Sequence, residues 1–406
     1  MSVYGLLGRK LGHSYSPDIH RAMGGYEYRL FEVEPAGLSD FLAWQGFSGL
    51  NVTIPYKKDV IPFCSELSPT ARAIGSVNTI LRNPDGSLYG ENTDAAGFAH
   101  MVGKSGIEVG GKKVLVLGSG GSSLSVCYVL RELGPGSLTV ISRQGDNNYD
   151  NLHLHADAQI IVNTTPVGMY PDTDLSPVSL DHFPRLEGVL DIIYNPATTR
   201  LLMDAWERGL PHLGGLHMLI GQARAACELF LGHPVDADKE HTIHQMLRRK
   251  MGNIVLIGMP GCGKSTIGRI LANRLGKTFV DADAILEQTA GMSIPEIFAQ
   301  EGEAAFRKRE TQTLRQLGKL SGQVIATGGG CVTREENHFY LRQNAIIVFI
   351  ERAVHQLARG GRPLSAGNLE EMYRHRRPLY RRFADFTVQN NSGVKACADQ
   401  ILASAY

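Results

Sequence analysis

Long apolar runs are missing from this chain of 406 residues. No stretch approaches the roughly eighteen consecutive apolar residues of a membrane-spanning helix, so no membrane partner is expected. The N-terminus, MSVYGLLGRKLGHS, lacks a basic start followed by a long apolar stretch, so a secretory signal is not expected either. Cysteine is sparse. Cys64, Cys127, Cys227, Cys262, Cys331 and Cys397 are scattered with no CxxC spacing, which disfavours zinc sites and disulfide frameworks and fits a reducing cytoplasm. Excess charge is also absent: the net charge is +1, and basic runs are confined to MLRRK and RHRRPLYRR. Bulk electrostatics therefore gives no reason to expect a nucleic-acid partner. Oligomeric state leaves no mark on the composition.

What is present is a globular composition, 43% hydrophobic and 20% charged, in a chain too long for one core. Two or three domains are expected. Up to about residue 100, short apolar runs alternate with loops such as LNVTIPYKK and GSVNTIL. KKVLVLGSGGSS then opens a second segment, an apolar strand feeding a glycine turn and a helix, followed by the buried strands SLTVISR, AQIIVNTTP and GVLDIIY. Such alternation predicts a doubly wound parallel sheet. The helix-compatible DADKEHTIHQMLRRK leads to a fresh strand series from Asn253: NIVLIG, TFVDAD, QVIATGGG and AIIVFIE. The expected division is residues 1–100 with about 225–247, then 101–224, a linker over 248–252, and 253–406. The two halves carry different loop chemistries, so no internal repeat is read.

GMPGCGKST, Gly258 to Thr266, fits GxxxxGK[ST] between a strand and a helix. Its glycines let successive backbone N–H groups face phosphate oxygens, and the helix N-terminus adds positive potential. Lys264 would reach the β and γ phosphates and Ser265 would ligate Mg²⁺, so this half is expected to bind a nucleoside triphosphate. Asp281 and Asp283 lie two apart at a strand end. In an extended segment both carboxylates would face one side, one for the metal and one for an acceptor proton; a helix N-cap pair is the competing reading. Arg307, Arg362 and the arginines of RHRRPLYRR suit capture of a carboxylate or phosphate, although singly each reads equally as a solvated face. In ATGGG, Gly328 to Gly330 end a strand where a ligand could lie on the backbone, or where the turn is simply loose.

GMPGCGKST, FVDAD, FRKRE, TGGG, RPL and RRPLY occur here in one order, and residues 253–406 resemble shikimate kinase. The resemblance implies that Asp283, Arg307, Gly329 and Arg376 hold shikimate, with Asp283 accepting the proton of its 3-hydroxyl. It further implies that Gly261, Cys262, Gly263, Lys264, Ser265, Thr266 and the lid residue Arg362 hold ATP, with Ser265 and Asp281 on the metal side. ARGGRPLSAG is shorter than the family's usual lid.

In the first half, VLVLGSGGSS is a GxG-type turn after a strand, a weak signal alone because a tight turn reads the same. No acidic residue follows roughly twenty positions on. The second strand ends instead in Arg143, and a cation there favours the 2′-phosphate of NADP(H) over NAD(H), unless it is a plain surface arginine. Ser14 and Ser16 could cradle a carboxylate. Lys57 beside Asp94 could protonate the alkoxide of a reduced ketone, although a lysine next to Lys58 reads singly as surface.

HSYSP, NVTIPYK, GSVNT, NTD, NTTPVGM, DIIYNP and HMLIGQA together resemble shikimate dehydrogenase over residues 1 to about 245. The resemblance places Lys57 and Asp94 in catalysis. Ser14, Ser16, Thr53, Asn78, Tyr194 and Gln222 fall on the substrate, and Gly118, Ser119, Gly120, Gly121, Ser122, Arg143 and Gly215 on NADP. TDAAG stands where the family usually has TDG, and GSGGSS where it has GAGGA. The fold class implied is α/β: a substrate domain with a Rossmann-like NADP domain, then a P-loop kinase domain with a parallel sheet. The activity implied is bifunctional, reducing 3-dehydroshikimate with NADPH and phosphorylating shikimate with ATP and Mg²⁺. An NAD-dependent quinate/shikimate dehydrogenase fused to the kinase, or one half acting only as a shikimate-binding regulator, are the alternatives.

Overall fold

A computed structural model describes residues 3–12, 14–357 and 369–405. The chain folds as two compact units, Met1–Tyr194 with Thr199–His244, and Asn195–Thr198 with Gln245–Tyr406.

Strands β1 (Tyr4–Gly8), β2 (Tyr28–Glu32), β3 (Gly49–Val52), β4 (Glu66–Leu67), β5 (Thr79–Arg82) and β6 (Leu88–Glu91) build the first unit's mixed sheet, in the order β2-β1-β3-β5-β6-β4. Its β1 runs parallel to β2 and β3, whereas β5 runs antiparallel to β3 and β6. Strands β7 (Lys113–Leu117), β8 (Ser137–Ile141), β9 (Ile160–Asn163), β10 (Gly188–Asp191) and β11 (His212–Gly214) form a second sheet, parallel throughout, in the order β11-β10-β9-β7-β8. Val114 to Leu117 and Ile160 to Val162 are buried without alternation, as strands covered on both faces must be. Each such side chain contributes about 1.5–3 kcal/mol on leaving water. Because the chain goes from β7 to β8 on one side and returns to β9 on the other, the loops after β7 and β9 part and leave a crevice.

Two helices bring the sheets' residues together. Helix Thr93–Ser105 starts from Asn92, whose side chain accepts from the Ala95 N–H, and packs on helix Leu216–Leu231. A Cβ on Gly97 would lie 2.5 Å from the Met218 carbonyl oxygen, and one on Gly221 2.9 Å from the His100 Cβ. The glycine of TDAAG thus permits a close crossing that sets Asp94 beside Gln222. Helix Leu216–Leu231 runs unbroken through 224/225, where the sequence placed a boundary, because its buried face Ile220, Ala223, Cys227, Phe230 is continuous. Residues 248–251, read as linker, are the last turn of helix Asp238–Met251, in which Ile243, Leu247 and Met251 are buried at four-residue spacing.

In the second unit, β12 (Asn253–Ile257), β13 (Thr278–Asp281), β14 (Gln323–Ala326), β15 (Ala345–Glu351) and β16 (Phe386–Gln389) form a parallel sheet in the order β13-β14-β12-β15-β16. Strand β12 is buried along its whole length and centres the core. The segment Ile294–Lys319 begins with a capping box between Ser293 and Glu296 and breaks at Gly302, φ 81°, so its second part starts anew just before Arg307.

Part of the chain's acid sensitivity follows from His338. His338 is 4% exposed, and burial followed by the charges of Arg342 and Arg382 lowers its pKa to about 4. The folded state therefore refuses a proton that the unfolded chain accepts. The stability is fully present above pH 6.5 and is lost as pH falls toward 4, by about 2 kcal/mol at pH 5. Denaturant unfolding of wild type and His338→Gln at pH 7 and pH 5 checks this: the variant's loss between the two pH values should be smaller by about that amount. An equal loss refutes it.

Candidate active sites

In the first unit a cavity of about 340 Å³ opens between the two sheets. Lys57 Nζ lies 2.5 Å from Asp94 Oδ2 at its wall. Asp94 is 5% exposed, in the first turn of helix Thr93–Ser105. The loop carrying Lys57 is pinned by Val77, whose N–H donates to the Lys57 carbonyl at 2.8 Å. Neighbouring Asn78 donates from Nδ2 to Asp94 Oδ1 at 2.9 Å and to Gln222 Oε1 at 3.3 Å. Its Oδ1 accepts from the Thr93 N–H at 2.6 Å and from the Thr93 and Thr79 hydroxyls, which fixes which end of the amide faces Asp94. Ser14, Ser16, Thr53 and Tyr194 line the same cavity; Ser14 Oγ accepts from the Ser16 N–H, and burial raises the Tyr194 phenol pKa. All six sequence-chosen substrate residues thus share one cavity with Lys57 and Asp94.

The cavity extends to Gly121, Ser122 and Gly215. Gly118 has φ 100°, and its N–H donates to the Ile141 carbonyl, so the turn after β7 is held against the end of β8. Helix Gly121–Glu132 has Gly120 as N-cap and no side-chain cap, leaving its first N–H groups available to an anion. Arg143 is exposed two residues past Ile141. Gly215 permits contact of another kind: a Cβ there would sit 1.9 Å from the Ile192 carbonyl oxygen. Asp191, buried and raised by that burial to about 6, accepts from Thr199, Asn163 and the Ile193 N–H and so ties down the loops after β9 and β10.

A larger cavity, about 620 Å³, lies at the C-terminal ends of the second unit's strands. Gly261 and Gly263 have φ 81° and 103°, and Gly263 opens helix Lys264–Leu275 with no side-chain cap. Lys264 Nζ donates to the carbonyls of Gly258 at 2.8 Å and Met259 at 3.1 Å. Ser265 and Thr266 line the cavity, whereas the Cys262 side chain is packed in the core and only its backbone serves the loop. Asp281 is the N-cap of helix Ala282–Ala290: Oδ1 accepts from the Asp283 N–H and Oδ2 from Ser265 Oγ at 2.7 Å. Asp283 therefore projects from a helical first turn, and the extended geometry considered from spacing does not apply. Arg362 lies outside the described residues.

The run Gly328–Gly330 is neither loose nor generic. A Cβ on Gly328 would lie 2.6 Å from Asp283 Oδ1 and 2.8 Å from Glu310 Oε1; on Gly329, 2.6 Å from Pro260 Cδ; on Gly330, 2.0 Å from an Arg307 Nη. These glycines make room for the side chains opposite them. Arg307 donates to Glu310 at 2.7 Å and Glu303 at 3.2 Å, and Arg376 to the Gly329 carbonyl at 3.1 Å. Gly330→Ala should accordingly displace Arg307 and raise the KM for a carboxylate substrate of this cavity by about tenfold to a hundredfold, the worth of a charge-assisted hydrogen bond. Steady-state kinetics of the variant measures this, and an unchanged KM overturns it.

Several residues at these sites were not singled out in the sequence. Glu310, whose carboxyl burial pushes up against the pull of Arg307, has an Oε1 without a hydrogen-bond partner among the described residues. Tyr380 donates to the Gly329 carbonyl at 2.5 Å. At the wall of the first cavity, which His20 and Asn51 help to line, Tyr28 donates to Asn51, Asn51 to Thr79, and His20 stacks on Tyr28. Glu310 closes FRKRE and Tyr380 closes RRPLY, so the motifs contained them; the His20 chain left no signal beyond a histidine in the helix Ser16–Gly24 and polar residues in apolar strands.

Residues 6–80 match the family described as the shikimate dehydrogenase substrate binding domain, and residues 260–405 match shikimate kinase. A shikimate dehydrogenase (NADP(+)) of Clostridium perfringens is 36% identical, over 61% of this chain and 99% of that protein. A solved structure of a chorismate mutase/shikimate 5-dehydrogenase fusion protein from Clostridium acetobutylicum is 36% identical with TM-score 0.58, over 61% of this chain and 96% of that one. The Thermus thermophilus shikimate 5-dehydrogenase, solved with NADP(H) and shikimate, is 30% identical with TM-score 0.55, over 61% of this chain and 99% of that one. A quinate dehydrogenase from Corynebacterium glutamicum, solved with NAD, is 29% identical with TM-score 0.56, over 60% of this chain and 99% of that one. The chain belongs to the shikimate dehydrogenase family over its first three-fifths and carries a shikimate kinase domain after it.

Proposed function

We propose that the chain catalyses two consecutive reactions: NADPH-dependent reduction of 3-dehydroshikimate to shikimate in the first unit, and ATP-dependent phosphorylation of the shikimate 3-hydroxyl in the second. The observation that carries this is the Lys57–Asp94 pair, 2.5 Å apart, in a cavity shared with Ser14, Ser16, Asn78 and Gln222 and reaching the uncapped helix at Gly121. NADPH supplies the hydride. Ser14 and Ser16 hold the substrate carboxylate, and Asn78 and Gln222 its hydroxyls. Lys57 gives a proton to the ketone oxygen as charge develops on it, while Asp94 orients the ammonium. Gly120 and Gly121 offer backbone N–H groups to the dinucleotide phosphates, and exposed Arg143 suits a 2′-phosphate.

In the second unit ATP and Mg²⁺ supply the phosphoryl group and charge neutralisation. The donor set fits: Gly261, Gly263 and Lys264 would hold phosphates, and the Ser265 hydroxyl with the Asp281 carboxylate would hold a divalent cation bound together with them. Arg307 and Arg376 hold the shikimate carboxylate beside Gly329. Asp283 accepts the proton of the attacking 3-hydroxyl.

The full chain should oxidise NADPH with 3-dehydroshikimate and form ADP only when shikimate is present. Absence of either activity refutes that half. Running the first assay with NADH, and in reverse with quinate, separates the NADP-dependent reading from a quinate-oxidising one.

A further inference from the structure

Four cationic side chains line the second cavity: Lys264, Arg307, Arg352 and Arg376. Three are engaged by protein acceptors, namely the Gly258 and Met259 carbonyls, Glu303 with Glu310, and the Gly329 carbonyl. Arg352 differs: its buried Nε has no hydrogen-bond partner among the described residues.

Its position explains what it could meet. β15 pairs with β12 in the register Ile257↔Phe349, and β12 ends there as the chain turns into the phosphate loop. A Cβ on Gly258 would lie 2.5 Å from the Ile350 carbonyl oxygen, so the end of β15 abuts the start of that loop. On either side of Arg352 the backbone is held: the Glu351 carbonyl accepts from Asn390 at 2.8 Å, and the Ala353 N–H donates to Asn391 Oδ1 at 3.3 Å. Glu351, which could have neutralised it, is taken by Tyr373, Arg377 and Gln389. Asn390 also donates to the Cys262 carbonyl, fastening this strand end to the loop itself. An arginine whose Nε has no partner among the described residues, sharing one cavity with the uncapped helix start at Gly263, matches a polyphosphate, whose oxygens accept from its planar fork. The carboxylate-facing arginines sit elsewhere, against Gly329 and Gly330.

Resting on the phosphoryl-transfer reading above, we propose that Arg352 is a further nucleotide-binding residue, donating to the polyphosphate held by the Gly258–Thr266 loop. Arg352→Ala in the full chain should weaken ADP affinity in calorimetry and raise the KM for ATP, each by about tenfold to a hundredfold, with the KM for shikimate unchanged within about twofold. Arg352→Lys should bind with intermediate affinity, and dehydrogenase turnover should not change. Unaltered ADP affinity and ATP KM overturn the inference, as does a rise confined to the shikimate KM. A wild-type chain that forms no ADP refutes the kinase reading instead, while the ADP titration of wild type against Arg352→Ala still decides whether this residue meets the nucleotide.

Discussion

Lys57→Met should lower turnover of 3-dehydroshikimate by about 10²–10⁴-fold, the usual contribution of a positioned general acid. Methionine keeps much of the lysine's length but has no proton to give. Asp94 remains held by Asn78 at 2.9 Å, so the cavity wall keeps a hydrogen-bonded carboxylate when its cation is removed. NADPH titration should therefore give an affinity close to wild type, because the nucleotide groups at Gly118 to Ser122 are untouched. Shikimate-dependent ADP formation should also persist. A loss of less than about tenfold in kcat would show that the proton comes from elsewhere.

The second large effect falls on Asp283. Asp283→Asn retains the shape that packs over Gly328, where a Cβ would lie 2.6 Å from Oδ1, but removes the basicity needed to take the 3-hydroxyl proton. ADP formation should fall by about 10²–10⁴-fold, with ADP affinity little changed. Were the rate to stay within about tenfold of wild type, Asp283 would be a shikimate hydrogen-bond partner and not the proton acceptor. Asp281→Asn provides a contrast: it loosens both the cap on the Asp283 N–H and the bond from Ser265, so its effect should depend on Mg²⁺ concentration.

Much of this was legible before any fold was known, for physical reasons tied to particular residues. GMPGCGKST declares its loop because only glycines take φ near 81° and 103° without strain, and a lysine follows at the helix start. KVLVL and NIVLI announce two-sided burial by their lack of alternation. Asp281 and Asp283 were harder. A two-residue spacing reads as one face of a strand, yet the strand stops at Asp281 because its side chain caps the next helix. The glycines of TGGG were likewise open to two readings, since a sequence names a missing side chain without naming what fills its place.

By itself, then, the sequence determined which local chemistries exist: two uncapped glycine-led helix starts, a lysine and an aspartate in polar loops, and arginines grouped near a second phosphate loop. Only the tertiary structure decided which of them meet. Lys57 and Asp94, 37 residues apart, touch because neighbouring residues hold both: the Val77 N–H binds the Lys57 carbonyl and the Asn78 amide binds the Asp94 carboxylate. Arg307 and Gly330 meet because a helix restarts at Gly302. Arg352 keeps a buried Nε without a hydrogen-bond partner among the described residues, while the carboxylate of Glu351 next to it is taken by Tyr373, Arg377 and Gln389. Pairing of this kind is set by packing between elements distant in sequence, and no local pattern encodes it.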